Sequence, residues 1–309
     1  MNLIDVTAEF NTDDKCLEYL EAMRWPSGVA CIECGSLKVS RITRESKTKN
    51  KRTRLYQCLE KECKHQFSPT AGTIFHDSHL PLRKWFAAIA LVCEAKKGVS
   101  ACQMQRHLKV NYRTAWHLCH RIREAMKEES PERLTGVVEL DETYIGGKVR
   151  HRGSHGRRPK KRKDVVVGMV ERGGKLHLIH IPHATARLLK PIVEEHISPN
   201  VETLMTDDAT IYPFAVQPQL DSKRKVIRHT QAYGIGDIHT NTIENVFSLL
   251  KRAMIGTYHQ VSIKHLWRYL NEFSFRFNRR EEQQQLFAET TKNLIYGQAL
   301  PYKNLVASA

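Results

Sequence analysis

Val137-Val138-Glu139-Leu140-Asp141 runs through apolar, β-branched residues and stops on a carboxylate. Val201-Glu202-Thr203-Leu204-Met205-Thr206 stops on Asp207 in the same way. Both runs read as strands, Gly136 to Tyr144 and the stretch up to Thr206. Thr240 to Met254 reads as a helix, because Ile243, Val246, Phe247, Leu250 and Met254 recur at spacings of three and four, and Glu244 flanks that stripe. Carboxylates at strand ends are costly unless something partners them. Acids from two strands and a facing helix suit two hard divalent cations held by oxygen, Mg²⁺ or Mn²⁺, which is the equipment of phosphodiester chemistry. Strand neighbours point to opposite faces. Only one of Asp141 and Glu142, and one of Asp207 and Asp208, can therefore enter a shared site; Glu139 shares the face of Asp141.

Around these runs the pattern stays α/β. Asp164 to Glu171 and Lys175 to Ile181 read as a hairpin turning at Arg172-Gly173-Gly174, Thr185 to His196 as a helix, and the stretch near Lys225 to His229 as a strand. Leu266, Tyr269, Leu270, Phe273 and Phe277 mark a last long helix. Lys251 lies two helical turns beyond Glu244 at nearly the same angle, about 10 Å along the axis. That edge would place a phosphate-holding cation beside a metal ligand; the plain alternative is a solvated pair of charges.

Lys plus Arg outnumber Asp plus Glu by 49 to 33, a net charge of +16 and a pI near 9.5, which favours a polyanionic partner, nucleic acid before membrane. No segment approaches the roughly 18 apolar residues of a membrane span, and the N-terminus does not read as a signal peptide. Between Lys148 and Lys163 nine basic residues and no acid make a loop whose Arg157, Arg158, Lys160 and Lys161 are candidates for DNA backbone contacts. No serine sits in a nucleophile elbow.

The N-terminal part carries different chemistry. Cys31-Ile32-Glu33-Cys34 and Cys58-Leu59-Glu60-Lys61-Glu62-Cys63 are two paired-thiol knuckles that can close a tetrahedron round a structural zinc, with His65 as the alternative to Cys63. Cys16, Cys93, Cys102 and Cys119 fall on apolar helix faces and read as core residues. Leu82 to Cys93 has a clean helical face; Ala101 to Leu108, capped by Ser100, then a short break at Lys109-Val110-Asn111 and a further helix to about Met126 read as a helix-turn-helix. Its second helix puts Arg113, His117 and Arg121 on one face, placed to reach a major groove; the alternative is a plain helical hairpin. Three units follow: 1–75, 76–130 and 131–309.

Several stretches are similar to a known family: RWPSGVACIECGS (Arg24 to Ser36), FSPTAGTIFHDSHLPLRKW (Phe67 to Trp85), ELDETYIGGK (Glu139 to Lys148), TDDATIY (Thr206 to Tyr212), HTNTIENVFSLLKRAMIGTYH (His239 to His259) and YLNEFSFRFNRR (Tyr269 to Arg280). They resemble the bacterial insertion-sequence DDE transposases with an N-terminal zinc ribbon, the insertion sequence fifteen-ninety-five family in its ISXO-two-like branch. The resemblance implies a ribonuclease-H-like catalytic domain in 131–309, preceded by a zinc ribbon and a helix-turn-helix. By the family pattern the catalytic, metal-binding acids are Asp141, Asp207 and Glu244, with the following lysine at Lys251. It also implies double-stranded DNA partners (terminal repeats and target) and a dimer or larger assembly on DNA. A DNA-binding regulator without catalysis, or a nuclease without transfer, would keep the same fold.

Overall fold

The computed structural model describes residues 1–42, 54–146, 164–227 and 239–307. In it the chain forms two units, Met1–Met126 with Glu281–Ala309, and Lys127–Arg280. The first opens on two side-chain-capped helices: Asn2 accepts from the Asp5 N–H at the start of α1 (Leu3–Glu9), and Thr12 from the Lys15 N–H at the start of α2 (Asp13–Arg24). A three-stranded antiparallel sheet follows, β1 (Val39–Ile42), β2 (Leu55–Cys58) and β3 (Gln66–Phe67), with β2 central. Its core is small, four buried residues (Cys31, Tyr56, Cys58 and Phe67) with Trp25 packed against them. Arg54 ties the sheet to α2 through Asp14, Glu18 and Glu21 at 3.3, 3.6 and 3.4 Å.

Helices α3 (Leu82–Glu94), α4 (Ala101–Leu108) and α5 (Tyr112–Ala125) come next. Ser100 caps α4 and Asn111 caps α5, and Lys109 turns the chain between them in the left-handed region, at φ 50°. Cys16, Cys93 and Cys119 are buried as expected, but Cys102 is exposed. The buried stripe of α4 is Met104 and Leu108, and a residue two positions before Met104 lies across the helix from it.

The second unit is built on a five-stranded sheet. Its elements are β4 (Val137–Ile145), β5 (Asp164–Glu171), β6 (Leu176–Ile181), α6 (Ala186–His196), β7 (Thr203–Asp207), α7 (Tyr212–Ala215), α8 (Pro218–Asp221), β8 (Arg224–Ile227), α9 (Asn241–Ala253) and α10 (Ile263–Asn278). The strands lie in the order β6-β5-β4-β7-β8, antiparallel from β4 through β5 to β6 and parallel from β4 through β7 to β8. Alternation gives the sheet two apolar faces. Val138, Leu140, Val165, Val167, Met169 and Leu204 pack with Leu189 and Val193 of α6 and Tyr212 of α7. Val166, Val170, Leu176 and Leu178 pack with Ile243, Phe247 and Leu250 of α9 and Leu266 and Phe273 of α10. The chain continues from α9 into a π-helical turn, Met254–Tyr258.

The helix from Leu266 to Phe277 is not the last. Residues 281–309, expected with the third segment, form α11 (Gln283–Tyr296) and α12 (Tyr302–Ala307) and cluster with the first unit. The cause is aromatic: Phe287 of α11 meets Phe86 of α3 at 5.6 Å and Phe10 at 6.0 Å between ring centroids.

Gly168 of β5 lets α9 approach the sheet. A Cβ there would lie 2.6 Å from Ile243 Cδ1 and 2.7 Å from Phe247 Cε1. Gly168→Ala is expected to cost about 1–3 kcal/mol through overpacking, read as a lowered urea midpoint; an unchanged midpoint would mean α9 is not seated there.

Candidate active site and zinc site

β4 places Glu139, Asp141 and Thr143 on one face, and Asp141 pairs with Gly168 on β5. On its other side β4 runs parallel to β7 with Glu139 opposite Met205. Two residues further along each strand stand Asp141 and Asp207, in step and on the same face, on strands about 4.8 Å apart. Asp207 ends β7, where its Oδ1 accepts from the Ala209 N–H at 3.0 Å. Asp141 Oδ1 accepts from the Glu142 N–H at 2.7 Å. Glu142 turns to the opposite face, where its carboxylate takes the Tyr212 hydroxyl hydrogen bond. Asp208 lies outside the strand and is exposed.

Glu244 reaches this face from the first turn of α9, where its Oε1 accepts from the Thr240 hydroxyl at 3.1 Å. What seats the turn is Glu139. Its carboxylate is 0 % exposed, and it accepts from the Ile243 N–H at 2.9 Å, the Thr242 hydroxyl at 2.9 Å and Arg172 Nε at 2.7 Å. His239 Nδ1 lies 3.5 Å from Glu139 Oε1. Arg172 also donates from Nη2 to the His239 carbonyl at 2.9 Å. Glu139 thus supplies the helix with the N-terminal acceptor and negative charge that its own Thr240 does not. Sequence spacing shows Glu139 only as a spare acid near Asp141; with three donors on it, it is a clamp. Arg172 and His239 carry no sequence signal for this role beyond the hairpin turn that holds Arg172.

Burial and neighbouring charge act on the acids of this face. Burial pushes the Asp141 carboxyl up to about 7, and the charges of Asp207, Glu142 and Glu244 push the same way against the Glu142 N–H. Glu142 is also raised, by burial first and then by Asp207, with the Tyr212 hydroxyl opposing. The donor set on this face is hard oxygen, of the kind that takes Mg²⁺ or Mn²⁺. Lys251 is exposed near the far end of α9.

In the first unit the four expected thiols come together. Cys31, Cys34, Cys58 and Cys63 have Sγ atoms all within 4.8 Å of one another. Cys31 and Cys63 are 3.7 Å apart, Cys34 and Cys58 3.6 Å. Four sulfurs this close fit a tetrahedral structural zinc, and His65 is not among them. Burial opposes ionisation of Cys31, but hydrogen bonds from the backbone N–H groups of Cys34 and Glu33 and from the Cys63 and Cys34 thiols together bring the thiol down to about 7. Among the described residues this is the one group of three or more His, Cys, Asp or Glu side chains that converges so tightly. Asp141, Asp207 and Glu244 do not form such a group.

The face of α5 expected to read DNA is partly occupied by the unit itself. Arg121 is 6 % exposed and donates to the His76 carbonyl at 3.0 Å. His117 Nε2 lies 3.0 Å from the Leu300 carbonyl oxygen, and burial lowers its pKa. Arg113 is exposed, its guanidinium 4.0 Å above the Tyr302 ring. Arg121 therefore does not stand where a groove-reading side chain must; the segments carrying His76 and Tyr302 cover that face. Arg157, Arg158, Lys160 and Lys161 lie outside the described residues.

Residues 133–278 match the ISXO2-like transposase domain family, and residues 11–66 the transposase zinc-ribbon domain family. An uncharacterized protein in transposable element ISH50 of Halobacterium salinarum is 27 % identical over 281 residues, 86 % of this chain and 91 % of that protein. That relative is archaeal, so the likeness is not confined to bacteria. Among solved structures, the Mos1 transposase paired-end complex with left transposon end covers 68 % of this chain and 79 % of its own at 12 % identity, with a TM-score of 0.24, too slight a likeness to bear on the fold.

A raised Asp141 makes stability depend on pH in a definite direction. Unfolded, the carboxyl titrates near 3.8; folded, near 7. The folded state therefore binds the extra proton, so Asp141's contribution is fully present below pH 4 and is lost as pH rises to 7. In metal-free buffer Asp141→Asn is expected to be more stable than wild type by about 1–4 kcal/mol at pH 8, the difference closing below pH 4. Equal thermal midpoints at pH 8 would contradict this.

Proposed function

The chain belongs to the ISXO2-like transposases, and from that premise we propose a DNA transposase that binds the terminal inverted repeats of an insertion sequence, cleaves a strand there and transfers the freed end to a target. The strand order β6-β5-β4-β7-β8, with its antiparallel meander and parallel extension, supports a ribonuclease-H-like catalytic domain. The pairing of α4 with α5 across a short turn supports a helix-turn-helix between it and the zinc ribbon.

The observation that carries this reading is geometric: the parallel register of β4 and β7 puts Asp141 in step with Asp207, and Glu244 stands in the first turn of α9, which Glu139 ties to the same face. Three carboxylates brought to one face fit divalent cations, Mg²⁺ or Mn²⁺, with Asp141, Asp207 and Glu244 as the ligands. Bound there as a pair, such ions supply acidity to an attacking hydroxyl and countercharge to a leaving oxygen. The chain's own residues do the rest. Glu139 holds α9 so that Glu244 stays beside the two strands. Exposed Lys251 on the same helix holds a backbone phosphate. Water attacks phosphorus first and breaks its bond to the 3′-oxygen, releasing a 3′-hydroxyl and leaving a 5′-phosphate; that hydroxyl then attacks a target phosphodiester and displaces the target's own 3′-hydroxyl, so one site serves both steps without a covalent enzyme intermediate. Two ends must be held at once, which calls for a dimer or larger assembly on DNA.

Arg113 and Lys251, with Arg157, Arg158, Lys160 and Lys161, are the proposed backbone contacts, and the net charge of +16 makes affinity fall steeply with salt. His117 and Arg121 belong to this surface only if the residues covering them move or if they act from within it.

Asp141→Asn is expected to bind terminal DNA like wild type yet cut it roughly a hundredfold more slowly or worse, measured as strand release with Mg²⁺ or Mn²⁺. If wild type binds and never cuts, the chain is a DNA-binding regulator. If it cuts but never joins a supplied 3′-hydroxyl end to a plasmid, it is a nuclease.

A further inference from the structure

In the first unit a cavity of about 300 Å³ opens beside α5, lined by Asp77 and Trp85 together with Arg113, His117, Arg121 and Tyr302. Arg121 is the unusual member. It is 94 % buried by the complement of its 6 % exposure, stacked 4.8 Å over the Trp85 ring. Its Nη2 is bonded to the His76 carbonyl at 3.0 Å, while its Nε has no hydrogen-bond partner. A buried cation held by one carbonyl and one ring is poorly compensated. Burial lowers its pKa to about 10, with Asp77 opposing, so it stays a cation at neutral pH.

The charges round the cavity do not cancel. Arg113 adds a second guanidinium at the Tyr302 wall. Asp77, the one acid of the lining, is 82 % exposed in its side chain and lies 3.5 Å from His76 Nε2. The surplus is positive, and a buried guanidinium with its Nε–H unpaired can be compensated by a phosphate oxygen.

We propose that this cavity is a phosphate-binding pocket in which Arg121, from the wall, and Arg113, from the mouth, hold one phosphate group. Resting on the reading that the chain binds DNA, the occupant is a backbone or end phosphate of a duplex and not free phosphate, because Arg113 at the mouth is exposed and the chain carries a net charge of +16. Arg121 then contributes to affinity through phosphate, from inside the fold, and not by reading base edges.

The test uses the full, zinc-loaded chain labelled with ¹⁵N-arginine. The Nε–H resonance of Arg121 is assigned with Arg121→Lys and followed while inorganic phosphate or a short duplex is added at constant ionic strength. The pocket predicts that this resonance moves with both, at far lower concentration with duplex. It also predicts that Arg121→Gln and Arg113→Gln each reduce the slope of log K against log salt by about one. Arg113→Gln, being at an exposed residue, keeps the test valid if Arg121→Gln unfolds. Duplex binding with an unmoved Arg121 signal and unchanged slopes overturns the pocket and leaves DNA binding standing. A signal that moves with phosphate in a chain that ignores duplex DNA keeps the pocket, makes free phosphate its ligand and sinks the DNA reading. A signal that moves with neither sinks the pocket.

Discussion

A fully buried carboxylate, Glu139, is the constraint on which the second unit rests. Burying an ionised acid costs several kcal/mol unless it is paired and hydrogen-bonded. Here Arg172, the Thr242 hydroxyl and the Ile243 N–H all donate to it within 2.9 Å. The pairing joins a β4 residue to a hairpin turn and to the N-terminus of α9. Removing one partner of such a pair costs about 3–5 kcal/mol, so the bond is unlike a surface ion pair. Its positional effect matters more than its energy. Ile243 is fixed to β4, and Glu244 is the next residue.

The sheet does the complementary part. Among the described strands, β4 is the one with an antiparallel neighbour on one side and a parallel one on the other. The parallel pairing puts Asp141 in step with Asp207, and the antiparallel pairing puts Gly168 beside Asp141, where α9 needs room. Burial and mutual repulsion then raise Asp141, so the arrangement costs stability at neutral pH. In the proposed reading a divalent cation bound there would offset that cost.

Much of this is legible in the residues. Val137 to Asp141 and Thr203 to Asp207 announce strands because β-branched runs have few alternatives, and period-two alternation separates Asp141 from Glu142 before any coordinates exist. The Cys31-Cys34 and Cys58-Cys63 knuckles are local patterns, and they close. Long-range contacts are not legible in this way. Glu139 meets Ile243 across 104 residues, and no spacing rule marks one acid as a clamp and another as a ligand. Arg121 misleads for the same reason: helical periodicity places it beside Arg113 and His117, but the covering residues come from the His76 segment and from Tyr302, far along the chain. The return of α11 to the first unit depends on Phe287 finding Phe86, a meeting that local periodicity does not encode.

The direct measurement is calorimetric titration of Mn²⁺ into wild type and Glu139→Gln, both confirmed folded and with zinc retained. If Glu139 seats α9 so that Glu244 completes a site with Asp141 and Asp207, wild type takes up Mn²⁺ and the variant binds it about 10–100-fold more weakly. Equal affinity in the two proteins, or no uptake by wild type at millimolar Mn²⁺, would contradict the account.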